Sequence, residues 1–352
     1  MARIAWGIMG DSRGHLTRAL VMAEALKGHD LLFVGGGCVE ELAALGHQVL
    51  KVPMLTTYIR NGRVRLAATA GQCLGGILGE RLVRGRIIRE LEAFGADCAV
   101  SDYEYFLPRA ARAMGLPCLS FDHQHVLTKC RVENPPGLVL PGITMRSVVG
   151  GLFSVPERYF VLSFFQASPR SADTTILPPI LRPDVAPLTP HAGQKVLAYF
   201  RAGIPCGLLE ALDKTGREVM VFGQGEKPAL GRVRFCATDR AAFLDELAGC
   251  AYVVSTGGHN LICEAMHLKK PLLAPAPMFF EQDVNAWNLR LLGCGESGHV
   301  ERSPARLVRG FEARLEEFSV RLADIDVHGN AQVLGALEGF VSGQAPSAHV
   351  TR

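Results

Sequence analysis

A chain of 352 residues exceeds the usual size of one domain, and 48% apolar against 20% charged residues supplies core material for two. A net charge of +3 lacks the concentrated basic balance that a nucleic-acid partner demands. Ten cysteines, lying singly in apolar runs (Cys98, Cys118, Cys250, Cys263) with no C-x-x-C pair, read as free thiols of a reducing cytosol. They do not read as a disulfide scaffold or a zinc site. No window reaches the roughly 18 unbroken apolar residues of a spanning helix, and the N-terminus enters a strand directly at Ile4. A cytoplasmic protein is expected, with peripheral contact at the inner face of the membrane left open.

Short apolar runs alternate with longer helical patterns, as βα units around parallel sheets do. Arg3–Met9 predicts the first strand, followed by a glycine-containing loop and a helix from about Leu16 to Lys27. Strands at Leu31–Val34 and Val49–Val52 precede a long atypical stretch, Leu55–Glu92. The alternation resumes with strand Cys98–Ser101, helix Glu104–Met114 and strand Cys118–Phe121, and Arg158–Phe165 reads as the last strand of this half. Five prolines between Leu177 and Gly193 then deny both helix and sheet ladders, leaving an extended linker. Beyond it come strand Lys195–Phe200, helix Gly207–Lys214, strands Glu218–Phe222 and Arg232–Cys236, helix Arg240–Gly249 and strand Tyr252–Ser255. Helix Asn260–Leu268, strand Pro271–Ala274, helix Gln282–Leu292 and a final helix near Pro304–Asp324 complete the pattern. The expectation is an α/β chain of two halves, residues 1–176 and 194–352, joined by a linker over 177–193. Such halves place a cleft between the carboxyl ends of two sheets, where ligands bind.

The stretch Ser255-Thr-Gly-Gly-His-Asn-Leu-Ile-Cys-Glu264 carries the most chemistry. A strand ends at Ser255, two glycines turn the chain, and a helix begins near Asn260. Unpaired amides at such a helix start suit a diphosphate, and the glycines let backbone approach it. An ordinary βα turn capped by Thr256 or Asn260 would use the same residues. Glu264, one turn into the helix, lies within reach of vicinal hydroxyls beside a diphosphate.

This stretch resembles the nucleotide-sugar signature of inverting glycosyltransferases of the GT-B fold, in which two Rossmann-like domains face each other across a cleft. It is also similar to the donor motif of the peptidoglycan N-acetylglucosaminyltransferase. The resemblance implies that Thr256, Gly257, Gly258, His259 and Asn260 hold the diphosphate. It gives the ribose to Glu264 and the sugar to Glu281 and Gln282. Thr256 stands where plant members have a phosphate-binding histidine, and Leu261 replaces a hydroxyl residue, so backbone amides must carry more of the binding. Phe222, Gly223 and Phe243 fall where relatives grip the base. The donor is thus expected to be a nucleotide sugar, a UDP-sugar, with no cofactor and no metal.

Gly10-Asp-Ser-Arg-Gly-His-Leu-Thr-Arg18 is neither a Walker loop nor a G-x-G-x-x-G fingerprint. It resembles the N-terminal Gly-His-x-x-Pro/Arg loop of the same superfamily, which implies that Gly14 lies at the donor and that His15 is the general base. An imidazole suits that task because its proton affinity lies near neutrality. Asp102, at a strand end, resembles the aspartate partner that orients such a histidine. A capping or structural role is the alternative for His15, and a helix N-cap would suit Asp102 equally. Asp122, His123 and His125 end the next strand and are expected to meet the acceptor. A His-x-His pair suggests metal, but acceptor contact or structural polar packing is the expectation.

Arg60, Arg63, Arg65, Arg81, Arg84, Arg86 and Arg89 lie among apolar residues with few acids. A solvated helix face is the usual reason for such a run. The peptidoglycan relative implies instead a surface that meets an anionic membrane to reach a lipid-linked acceptor. Two rivals to transfer stay open: a nucleotide-sugar hydrolase, with water as acceptor, and a non-catalytic sugar-nucleotide binding protein.

Overall fold

The computed structural model describes residues 1–11, 13–55, 59–60, 63–64, 66–201, 203–275, 277–298 and 303–344. Two all-parallel sheets organise them. The first has seven strands in the order Thr174–Leu177, Arg158–Leu162, Cys118–Asp122, Cys98–Asp102, Arg3–Ile8, Asp30–Gly35 and Gln48–Lys51. The second has six: Val233–Phe235, Val219–Phe222, Val196–Tyr199, Tyr252–Ser255, Leu272–Ala274 and Gly295–Ser297. Each sheet reverses its strand order beside its first strand. In the first sheet the switch lies between Arg3–Ile8 and Cys98–Asp102, and in the second between Val196–Tyr199 and Tyr252–Ser255. Open α/β sheets bind ligands at such points.

The central strands are buried on both faces, which is why they read as nearly continuous apolar runs rather than alternating ones. Trp6 and Phe121 meet edge to face within the first core, 5.5 Å between centroids. Helix Arg240–Gly249 begins where it was expected because the Asp239 side chain accepts from the Ala242 amide at 2.7 Å.

Several elements depart from the expectation. Arg158–Leu162 is not the last strand of the first sheet: the β-branched run Thr174–Leu177 pairs with it in parallel and ends where the prolines begin. The stretch after Leu55 forms helices Leu66–Leu78 and Glu80–Phe94, and a further helix spans Val139–Leu152. The final helical pattern divides into Pro304–Glu312 and Leu315–Ala323. One more helix, Asn330–Val341, follows and packs Val333 and Leu337 into the core around Ile4, Trp6 and Leu26. The Asn330 side chain fixes its entry, exchanging two 2.8 Å hydrogen bonds with the Leu181 backbone. A single core also crosses between the sheets, joining Val126, Phe164 and Phe165 to Ile262, Phe280 and Val284.

Candidate active site

The first strand delivers its loop to the switch point through close backbone contact. A Cβ on Gly10 would lie 1.7 Å from the Gly36 carbonyl oxygen, so only glycine fits. Helix Arg13–Ala25 then begins, and His15 and Arg18 share one face of its first turn. Both are buried, as is Asp102 at the end of the adjacent strand. His15 Nδ1 lies 2.7 Å from Asp102 Oδ1. Arg18 donates to both oxygens of the same carboxylate, Nε to Oδ2 at 2.9 Å and Nη2 to Oδ1 at 2.6 Å. Its Nη2 also lies 2.7 Å from His15 Nδ1. Burial opposes the Arg18 charge, but the Asp102 carboxylate outweighs it and the guanidinium is held above its ordinary value.

Tyr103 follows with φ at +58°, a strained setting for a residue with a side chain. Its ring stacks on Phe153 at 4.1 Å and lies between His15 and His125, with centroids 6.4 and 6.1 Å away.

The three residues at the next strand end diverge. Asp122 accepts from the His125 amide at 2.8 Å, from the Ser120 hydroxyl at 2.6 Å and from His125 Nδ1 at 2.7 Å. Burial acts to raise the Asp122 carboxyl, yet His125 and these hydrogen bonds overcome it and bring it to about 2. His125 Nε2 is buried without a partner among the described residues. His123 turns the other way, toward the second half. Its Nδ1 meets the Leu162 carbonyl at 2.6 Å and its Nε2 meets Asn285 Oδ1 at 2.7 Å.

In the second half, Gly257 takes φ +87° and lets helix Phe280–Leu291 come close: a Cβ there would sit 3.0 Å from the Gln282 carbonyl. Helix His259–His267 starts after Gly258 with no side-chain cap, so neither Thr256 nor Asn260 closes it as an ordinary turn would. Asn260 instead reaches the first half, with Nδ2 donating to the Gly14 carbonyl at 3.3 Å and Oδ1 accepting from Arg18 Nη1 at 3.4 Å. The loop that carries His15 and the start of helix His259–His267 are therefore in direct contact. His259 is pushed well below its ordinary value, by burial first and then by neighbouring His123 and Arg18.

Glu264 is buried and pairs with Arg182 at 2.5 Å. Burial raises its carboxyl, and Arg182 works against that. Glu281 accepts from Asn285 Nδ2 at 2.8 Å, and Gln282 Oε1 accepts from the Met278 amide at 2.9 Å. Phe222 and Phe243 meet edge to face at 5.3 Å, beside Gly223. Arg18, Tyr103, Arg182 and Asn285, which the structure brings into this cluster, were not candidates from the sequence. Arg18 stood one turn after His15 inside the quoted motif, a usable signal. Arg182 sits among prolines, where no periodicity points to a partner.

Of the arginine-rich stretch, the side chains of Arg60 and Arg63 and the whole of Arg65 lie outside the described residues. Arg81, Arg86 and Arg89 are exposed, whereas Arg84 pairs with Glu80 at 2.9 Å. Leu74, Leu78 and Leu82 are 57, 77 and 83% exposed at successive intervals of four residues. Among the described residues no helix is long and apolar enough to cross a membrane.

Residues 2–315 match the profile of a protein family described as glycosyl transferase family 1. No curated protein sequence matches the chain. Among solved structures, the calicheamicin glycosyltransferase CalG4 superposes with a TM-score of 0.66 at 16% identity, covering 98% of this chain and 100% of the other. MurG of Acinetobacter baumannii gives 0.63 at 14%, covering 96% and 99%. The glycosyltransferase VinC, solved with dTDP, gives 0.66 at 15%, covering 97% and 100%. At such identities the shared property is the fold, the GT-B arrangement of two Rossmann-like domains facing a cleft.

Proposed function

Because the chain belongs to glycosyl transferase family 1, we propose that it is an inverting enzyme that moves a sugar from a UDP-sugar to an acceptor hydroxyl. The observation that carries this reading is the His15–Asp102 contact of 2.7 Å at one switch point, joined through Asn260 to the uncapped helix start at the other. Asp102 receives Nδ1–H and leaves His15 Nε2 free to accept. The acceptor oxygen attacks the anomeric carbon and its proton passes to Nε2. The bond from that carbon to the diphosphate oxygen breaks as the new one forms. The leaving charge is met by the amides of Gly257–Asn260 rather than by a divalent ion, so activity survives a chelator. Glu264 takes the ribose hydroxyls, and Glu281 with Gln282 orients the sugar.

A lipid-linked acceptor at an anionic membrane surface is favoured by one feature, the exposed leucine stripe Leu74, Leu78 and Leu82 flanked by Arg81, Arg86 and Arg89.

The reading is tested by thermal shift against UDP-, dTDP- and GDP-sugars, since a ligand at 100 times its dissociation constant adds about 2.7 kcal/mol. Acceptor-dependent release of the nucleoside diphosphate must follow for the stabilising donor. Free sugar released without acceptor marks a hydrolase. Donor binding without turnover across broad acceptors marks a binding protein.

A further inference from the structure

We propose that Arg18 is a positioning residue for His15, holding the Asp102 carboxylate in place and offsetting its charge so that the imidazole gives up each proton it takes. This rests on the assignment of His15 as the base. A carboxylate alone beside a buried histidine favours the imidazolium strongly. Such a base would take the acceptor's proton and keep it. Here both Asp102 oxygens already receive Arg18, through Nε and Nη2. With neutral His15 the buried trio carries no net charge. Protonation of the ring brings a second cation against a guanidinium nitrogen 2.7 Å from Nδ1.

The third corner of the guanidinium is fixed as well, since Nη1 donates to Asn260 Oδ1 at 3.4 Å. One planar group thus touches the base, its carboxylate and the diphosphate-side helix. A lysine carries the charge but has no planar fork for three such contacts. Among the described residues, other ionisable groups facing this cluster include Asp122 at the next strand end, Glu281 on helix Phe280–Leu291, His259 beside Asn260, Tyr103 after Asp102, and Asp11, which faces Tyr103.

The test follows the ring resonances of the full chain, labelled with ¹⁵N-histidine, against pH, with the His15 signal identified by its loss in His15→Gln. In Arg18→Met the His15 titration midpoint should rise by about one to two pH units, the scale of one unit charge at contact in a partly screened interior. Arg18→Gln, which keeps a donor without the charge, should rise likewise and serves if the methionine variant does not fold. Arg18→Lys should restore the midpoint to within about half a unit while kcat with an identified donor and acceptor stays depressed. A purely structural Arg18 would lower stability and kcat and leave the midpoint unmoved. A folded Arg18→Met or Arg18→Gln chain that titrates with the wild type overturns the proposal. The titration needs no substrate, so its failure is distinct from failure of the transferase reading, which shows as His15→Ala retaining turnover.

Discussion

His123 and His259 stack across the seam between the two halves, their ring centroids 3.9 Å apart. The first ring is held by the Leu162 carbonyl on its own half and by Asn285 on the other, and the second opens the helix that follows Thr256–Gly258. The contact joins the start of helix His259–His267 to the strand end at Asp122 in the first sheet. His123→Ala removes one partner from a buried hydrogen-bonded pair, a loss of about 1–3 kcal/mol in stability. Hydrogen exchange should quicken first in helices His259–His267 and Phe280–Leu291. Uniform acceleration throughout the chain would show that the seam is not held there.

His15→Ala should lose about 10²–10⁴ in kcat, the usual worth of a general base. Donor affinity should barely change, because the proposed donor contacts other than Gly14 lie on the other half. Asp102→Asn should cost less, and the double variant should be little worse than His15→Ala, since groups acting as a unit are not additive. Losses that multiply would break the pair, and the base would be sought at His125, whose Nε2 has no partner among the described residues.

Glu264→Ala should weaken UDP itself by about 10–100-fold, the range for hydrogen bonds to a charged group. Glu264→Gln, keeping an acceptor oxygen, should fall between that variant and the wild type. Calorimetry on the free nucleotide reads this without any acceptor. Equal UDP affinity in all three proteins would mean that the Arg182 pair is the whole role of Glu264.

The part of the stability carried by Glu104 and Asp283 should fall as pH rises from about 4 through neutrality. The part carried by the lowered His259 and His267 is opposite in sign. Glu104 and Asp283 are both raised by burial to about 7, and four flanking interactions only partly restrain Glu104. A carboxyl raised in the folded chain binds more protons there than when unfolded, so its contribution is present at low pH and lost through the folded value. Glu104→Gln keeps an acceptor for the Leu107 amide, which now meets Oε2 at 2.5 Å, and removes the titration. Above pH 8 it should stabilise by about 2–3 kcal/mol at most. Denaturant midpoints at pH 5 and pH 8.5 check this. A pH dependence equal to that of the wild type would count against it.

If the acceptor lies at a membrane, the chain should sediment with vesicles containing anionic lipid at low salt and release as salt shortens the reach of exposed charge to below about 8 Å. Exchanging Leu74, Leu78 and Leu82 for serine should abolish sedimentation while the fold persists. No sedimentation of the wild type even at low salt would leave a freely diffusing acceptor.

The parallel βα alternation, the strand ends at Asp102, Asp122 and Ser255, and the helix Arg240–Gly249 were legible in the sequence. Burial on both faces writes itself as apolar runs, and a cap such as Asp239 acts on amides three residues away. Thr174–Leu177 escaped because a four-residue edge strand beside prolines carries too little pattern to stand out from a linker. The helix Asn330–Val341 escaped for another reason: its partners, Trp6 and Leu26, lie some three hundred positions away. The candidate site divides the same way. His15 and Asp102 were paired through the family resemblance, but no local signal joined Arg18 to Asp102, Asn260 to Gly14, Arg182 to Glu264 or His123 to Asn285. Each of those pairs joins residues at least 82 positions apart, and only the packing of two sheets against one shared core brings a charge and its partner within reach.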